Sequence, residues 1–145
     1  TQYTSCADAG QRETARLLAA DGADVVVGGH AHRPQGSGWL GTTFVGYGLG
    51  NFVWYNTDGA SADTGVLTVT VDAAAARSTG RGPAPMPGST RAPRHRSVVV
   101  SQAWTPMVIG GDGVPRTPAA ASEQQRLRAA WDAATRCAAL ADAPG

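Results

Sequence analysis

The sequence predicts an α/β fold, because a capped helix leads directly into a short run of valines. Asp8 is a suitable N-cap with Gln11 three residues later, and Gly22 is a typical stop, so residues 9–21 are predicted to be helical. Val25–Val27 follow, and their β-branched side chains favour a strand buried on both faces. A helix, a tight turn and a buried strand are typical of an α/β layer. Three helix side chains are expected to face the core: Thr14, Leu17 and Leu18.

Strand patterns recur further along the chain. Three segments are β-branched or alternate in the manner of strands: residues 42–45, 65–71 and 97–109. Pro106 interrupts the last segment, which is therefore predicted as one or two strands. Two stretches rich in glycine and proline are predicted as loops: residues 28–41 and 110–118.

A C-terminal helix is predicted at about residues 122–141. Ser122 and Gln125 have the spacing of a capping box. Charged side chains, Arg126 among them, are expected to face solvent. Apolar residues at helical spacing are expected to pack inward, with Trp131 as a core anchor: Leu127, Ala130, Trp131, Ala134 and Ala138.

A loop rich in proline, glycine and arginine is predicted at residues 73–96. This segment has no acidic residue and contains five arginines: Arg77, Arg81, Arg91, Arg94 and Arg96. Such a composition is typical of a solvated linker. The alternative interpretation is a basic flap that touches an anionic polymer.

The composition is that of one globular domain. The chain has 145 residues, of which 42% are hydrophobic and 16% charged, and this length is sufficient to bury a core. The net charge of +1 argues against polyanion binding by the molecule as a whole, and no nucleic-acid partner is expected. No run of 18 apolar residues predicts a membrane span, and residues 1–4 lack the pattern of a signal peptide.

The two cysteines leave two possibilities open. Cys6 and Cys137 lie near opposite ends of the chain and have no C-x-x-C spacing, so a zinc ribbon or thioredoxin-like site is not indicated. They are either bridged or free, since a free cysteine can serve as a small hydrophobe. We expect a bridge if the protein is exported, because it would tie the N-terminal segment to the last helix.

The motif that could carry chemistry is His30-Ala31-His32, which follows Gly28 and Gly29. Two histidines one residue apart on a glycine-led loop can present their imidazoles to neighbouring positions. Neutral imidazole binds zinc, iron, nickel and copper, and a loop at the end of a strand gives ligands a rigid base. The same four-residue pattern also occurs as ordinary surface histidines, so the surrounding sequence decides the interpretation.

That surrounding sequence follows a recognisable order. Gly-Ala-Asp at 22–24 ends the helix, the valine strand and the histidine pair follow, Gln35 comes shortly after, and residues 47–53 read Tyr-Gly-Leu-Gly-Asn-Phe-Val. This order resembles the CapA family of capsule or poly-γ-glutamate synthesis proteins, a branch of the calcineurin-like metallophosphatases. Residues 1–72 carry nearly all of the resemblance.

The sequence departs from the family pattern in three respects. Gly29 and Ala31 replace a histidine and a proline of the usual G-H-H-P-H, which leaves the superfamily pattern G-H-x-H intact, and Gly48 replaces a serine. The family's other ligands, an aspartate-x-histidine, a bridging aspartate, an asparagine and another histidine, lie upstream of this stretch. We therefore expect residues 1–145 to be the C-terminal part of a domain, inactive by itself.

The resemblance implies a fold and a site. The fold would be the C-terminal portion of a layered α/β/β/α metallophosphatase-like sandwich with a mixed sheet. His30 and His32 would each bind one of two divalent transition metal ions. Asn51, at the end of Leu-Gly-Asn, is expected to contact substrate or orient a group in the site, and the alternative is a turn-forming asparagine after glycine. Trp39 is expected at the rim of the site or packed over the loop.

Three hypotheses for function follow. The first is a metal-dependent, phosphoesterase-like hydrolase of the cell envelope or the extracellular space. The second is a non-catalytic envelope protein of the same fold that binds an anionic capsule polymer or assembly proteins. The third is a small mononuclear metal-binding module that uses His30, His32 and a carboxylate such as Asp58 or Asp63.

Overall fold

The computed structural model describes residues 3–55, 57, 59–78 and 96–145. Within these residues the helices are α1 (Ala9–Ala20), α2 (Ala73–Ser78) and α3 (Ala121–Cys137), with a short 3-10 turn at Gly59–Ser61. The strands are β1 (Val25–Val27), β2 (Ser37–Leu40), β3 (Thr43–Gly46), β4 (Asp63–Val71), β5 (Val99–Ile109) and β6 (Pro115–Arg116). None of the described helices is long and apolar enough to cross a membrane.

Helix α1 has the predicted ends. The Asp8 carboxylate accepts a hydrogen bond from the Gln11 backbone N–H at 2.7 Å, and the Gln11 side chain accepts one from the Asp8 N–H at 3.0 Å, which completes the capping box. The inward face was predicted wrongly. Ala15 is the buried residue of this helix, whereas Leu17 and Leu18 are exposed over 58% and 42% of their surfaces and Thr14 is exposed as well. The cause is that α1 packs through its small residues.

The first sheet has the order β1-β3-β2 and is mixed. β1 runs parallel to β3, while β2 and β3 are antiparallel. The prediction that Val25–Val27 is a strand is confirmed, but the prediction of burial on both faces is wrong, because Val25 and Val27 are substantially exposed. Successive strand side chains alternate between faces, so Val26 packs against the buried cluster that contains Ala15 while Val25 and Val27 point to the opposite face of β1. β2 lies inside the stretch 28–41 that was predicted as a loop.

The second sheet is antiparallel, in the order β4-β5-β6. β5 is one continuous strand despite Pro106, which lies buried opposite Gly65 and so finds room for its ring. Gly65 has no Cβ, and one built there would collide with Trp104. The short strand β6 occupies part of the stretch 110–118 that was predicted as a loop.

The two faces of β3 join two cores. Phe44 and Val45 are adjacent and fully buried, and successive strand side chains point to opposite faces. Phe44 belongs to the core between the sheets, formed with Trp39, Val98 and Val99 and flanked by Leu67 and Val69. Val45 belongs to the core beneath α1, formed with Ala7, Ala15, Tyr47, Ala138 and Leu140. The chain is therefore layered as helix, sheet and sheet, and the α/β class is confirmed.

Helix α3 packs against β2 and β5 and so joins the two sheets. The Thr135 hydroxyl accepts a hydrogen bond from the Ser37 N–H at 3.1 Å. Gly36 permits this contact because it has a φ of +81° and because a Cβ there would collide with the Thr135 backbone. Trp131 is a core anchor as predicted, since it is buried and stacks on Trp104 with ring centroids 3.8 Å apart.

The ends of α3 differ from the prediction. Ala120 is the N-cap and makes no side-chain capping bond, so the predicted capping box of Ser122 and Gln125 is wrong. The Gln124 amide donates to the Pro118 carbonyl at 2.7 Å instead. The helix ends at Cys137 rather than near 141, because the chain turns through Ala139 and Ala141 then pairs with Trp39 in an antiparallel bridge.

Two side chains predicted at the surface have other roles. Trp39 neither lines a rim nor covers the histidine loop; it is buried between the sheets, with its ring edge against Phe44 and its N–H donating to Ser97. Arg126 does reach the surface, but it forms a two-pronged ion pair with Asp63 at 2.7 and 3.0 Å. The Asp63 carboxylate, whose side chain has little exposure, therefore has its charge paired by Arg126.

The basic segment is described only at its two ends. Its first residues, Ala73–Ser78, form helix α2 instead of a loop, with the Asp72 carboxylate accepting from the N–H groups of Ala74 and Ala75. Arg96 is exposed at the far end. Residues 79–95, with three of the five arginines, lie outside the described residues, so the choice between flap and linker stays a prediction.

Cys6 and Cys137 form a disulfide between residues 131 positions apart in sequence, with Cα atoms separated by 5.8 Å. This distance is ordinary for a disulfide. The bond ties the segment that precedes α1 to the end of α3, the connection that was expected for an exported protein.

We predict that removing this bond strongly destabilises the fold. The chain-entropy estimate for a closed loop of this length is about 5 kcal/mol, an upper figure, and a single domain has only about 5–15 kcal/mol in total. Urea unfolding of the native protein and of a Cys6→Ser, Cys137→Ser double variant measures the difference. Thiol titration in denaturant is the control, and two free thiols in protein from an oxidising compartment would contradict the pairing.

Candidate functional site

The two histidines lie on the loop that follows β1, and both have unusual backbone conformations. His30 has a φ of +67° and His32 a φ of +56°, which is the left-handed region that non-glycine residues seldom adopt. Ala31 between them is buried, so the loop is anchored by its middle residue. Residues held in such conformations cluster at functional sites, where the surrounding structure must stabilise them.

Backbone hydrogen bonds hold this loop on three sides. Each bond joins a backbone N–H to a backbone carbonyl: Gly28 donates to Gly46 at 2.7 Å, Tyr3 to Ala31 at 2.8 Å, and Gln35 to Gly48 at 2.9 Å. A side chain at position 28 would collide with the Tyr47 carbonyl, so glycine is required for this close approach.

The imidazoles lie side by side within a group of aromatic rings. The ring centroids of His30 and His32 are 5.5 Å apart. Tyr3 stacks on His32 at 5.4 Å with an interplanar angle of 18°, and Trp54 contacts the same ring at 5.1 Å. His30 is exposed and His32 is half-buried, so the pair faces outward while one ring is held firmly. The sequence pattern gave no signal for Tyr3 or Trp54.

Asn51 contacts His32 directly. Its Oδ1 lies 2.6 Å from His32 Nδ1, and its Nδ2 donates to the Ser61 carbonyl at 3.1 Å. The side chain is buried. The expectation that Asn51 orients a group of the site therefore has a defined geometry, whereas its contact with a substrate stays a prediction.

Gln35 is fully buried and connects the histidine loop to the segment before it. Its Nε2 donates to the Thr4 carbonyl at 3.0 Å, and its Oε1 accepts from Gln11 Nε2 at 2.7 Å. The same Gln11 closes the cap of α1. One amide thus fixes the position of the loop relative to both the N-terminal segment and the first helix.

Carboxylates do not join the histidines in the described part of the chain. Asp63 has both oxygens bound by Arg126, and Asp58 lies outside the described residues. No group of three metal-ligating side chains from histidine, cysteine, aspartate and glutamate occurs among the residues that the structure describes. Burial raises the pKa of Tyr47, against the opposing charges of Arg16 and Arg12, so this phenol beneath the loop stays neutral.

An exposed apolar surface adjoins Trp54. Phe52, Val53 and Tyr55 are exposed over 52%, 70% and 86% of their surfaces. Val53, Trp54 and Tyr55 line an open cavity of about 590 Å³ together with residues 111–113. The backbone N–H of Trp54 donates to the Gly113 carbonyl at 3.1 Å, which fixes this surface to the turn before β6. Phe52 and Val53 belong to the motif at residues 47–53, but the sequence pattern indicated no surface role for them and no role for Trp54 or Tyr55.

These features define an α/β domain with a paired-histidine loop at the end of a parallel strand. The family model for the bacterial capsule synthesis protein PGA_cap matches residues 1–56. The match supports the resemblance over this part of the chain, which contains His30, His32, Gln35 and Asn51. A search of curated proteins and a search of solved structures find no match to the chain.

We predict that Gln35→Leu destabilises the protein by about 1–3 kcal/mol, because the Gln11 amide and the Thr4 carbonyl lose their partner at partly buried hydrogen bonds. Urea unfolding measures the change. Gln125→Leu on the exposed face of α3 is the matched control and should change stability by less than about 0.5 kcal/mol. Equal stability of the two variants would show that Gln35 is not the connection described above.

Proposed function

We propose that this chain is part of a metal-dependent hydrolase of the capsule synthesis family, in which His30 and His32 are metal ligands. The observation that carries the proposal is the pair of adjacent imidazoles on a loop whose two histidines both adopt left-handed conformations. A strained backbone held by several hydrogen bonds is typical of a site that positions side chains for chemistry.

The donor set suits a divalent transition metal but does not complete a site. Two imidazoles are good ligands for zinc, iron, nickel or copper, whereas a catalytic zinc site has three protein ligands and a two-metal site has more. A bound metal ion would supply activated water and polarise a phosphoryl oxygen. Under this proposal the remaining ligands come from outside residues 1–145, and the whole domain has the metallophosphatase-like sandwich.

The disulfide supports a location in the envelope or outside the cell. Disulfides persist in oxidising compartments and are rare in reducing ones, and Cys6 and Cys137 are paired. A capsule is a product of the cell surface, and the match of residues 1–56 to a capsule synthesis family agrees with this location. We include an anionic capsule polymer such as poly-γ-glutamate among the proposed ligands.

The rival hypothesis is a non-catalytic protein that binds polymer or partner proteins. The exposed surface of Phe52, Val53 and Tyr55 favours this alternative, because exposed apolar side chains grouped in one place mark interaction sites. A mononuclear metal module that uses Asp63 is disfavoured, since both oxygens of that carboxylate bind Arg126.

We predict that the 145-residue chain binds Zn²⁺ weakly and hydrolyses phosphodiesters only at the background rate, because it supplies too few ligands. Extending its N-terminus with the family segments that carry the aspartate-x-histidine and asparagine ligands should give tight binding and turnover. His30→Ala with His32→Ala should then abolish both. Elemental analysis and a chromogenic phosphodiester assay provide the measurements.

His95→Ala is the matched control, because it removes the chain's third histidine and leaves the pair intact. Tight, stoichiometric metal with turnover in the short chain would contradict the idea that ligands are missing. An extended chain that is unaffected by the double substitution would remove His30 and His32 from the site. Polymer binding without metal or turnover in the extended chain would favour the rival hypothesis.

A further inference from the structure

Asn51 is held in one orientation by the start of the second sheet. The Thr64 hydroxyl, at the beginning of β4, donates to the backbone carbonyl of Asn51. Gly50 pairs with Thr64 in an antiparallel bridge. The Asn51 side chain is 7% exposed. Its position is therefore set by the protein and not by solvent.

The Ser61 carbonyl determines which amide atom faces His32. A carbonyl oxygen only accepts hydrogen bonds, so the atom of Asn51 that lies 3.1 Å from it must be the donor Nδ2. The oxygen Oδ1 then faces His32 Nδ1 at 2.6 Å. Rotating the amide by 180° would place two acceptor oxygens against each other, and a buried unpaired acceptor costs about 1–3 kcal/mol.

An acceptor at this distance requires that His32 Nδ1 carry the hydrogen. In a neutral imidazole one ring nitrogen is the donor and the other the acceptor. If Nδ1 donates to Asn51, Nε2 keeps its lone pair. Turning the ring over would place the carbon Cδ2 against the Asn51 oxygen and lose this hydrogen bond, and the contacts of the ring with Tyr3 and Trp54 also hold its orientation.

We propose that Asn51 is a positioning residue that fixes His32 as the Nδ1-protonated tautomer and so presents Nε2 to a metal ion. Metal-bound histidines commonly donate their second nitrogen to a carbonyl or carboxylate oxygen, which fixes tautomer and ring orientation. The metal part rests on the proposed function, whereas the tautomer part does not. This role does not depend on substrate contact by Asn51, which stays a separate prediction.

The tautomer is measured by long-range ¹H–¹⁵N NMR on the 145-residue chain, at a pH where histidine is neutral. We expect His32 to have a pyrrole-type Nδ1 and a pyridine-type Nε2. Asn51→Leu removes the acceptor and should give a mixture of tautomers. Asn51→Asp keeps an oxygen acceptor and should leave the hydrogen on Nδ1, but it loses the donor to the Ser61 carbonyl and should lower stability. Ser61→Ala is the matched control, since its backbone carbonyl remains. The ring signals of His30 report any general loss of structure.

A wild-type His32 protonated on Nε2 would overturn the proposal, and so would an unchanged tautomer in Asn51→Leu. If that variant does not fold, the wild-type spectrum still decides the question.

Zn²⁺ binding by the extended chain tests the metal part. We expect Asn51→Leu to weaken the affinity about 10–100-fold. Equal affinity together with a shifted tautomer would refute coordination through Nε2. A wild-type extended chain that binds no Zn²⁺ would count against the proposed function and leave the tautomer assignment standing.

Discussion

The buried amide of Gln35 is the constraint on which the arrangement of this domain depends. It is the largest fully buried polar side chain in the described part of the chain, and it accepts from Gln11 while donating to Thr4. A buried amide is stable only when its hydrogen bonds are made. The N-terminal segment, the first helix and the histidine loop are therefore fixed relative to one another, and the disulfide from Cys6 to Cys137 fastens the same segment to α3.

The site depends on both sheets, although the histidines belong to the first. β1 delivers the loop of His30 and His32, and the paired strand β3 continues toward Asn51. Thr64 in β4 holds the Asn51 backbone, and Ser61 just before β4 orients its amide. A change in the packing between the sheets would thus move Asn51 and, through its hydrogen bond, change the position of the His32 ring.

Much of the local structure could be predicted because it depends on neighbours in sequence. The capping box of Asp8 and Gln11 and the β-branched run of β1 specify a helix and a strand within a few residues. The predictions failed where distant residues decide. Val25 and Val27 are exposed because Val26 is the residue of β1 that faces the core, and Leu17 and Leu18 are exposed because α1 packs through Ala15.

The sequence by itself determined the α/β class, the histidine motif and the similarity of residues 1–56 to a capsule synthesis family, since these depend on the kind and order of neighbouring residues. Only the tertiary structure decided which groups meet. The contacts of Asn51 with His32 and of Asp63 with Arg126 join residues 19 and 63 positions apart. Local propensity carries no information about such pairs, because hydrogen-bond geometry between them exists only after the sheets have packed.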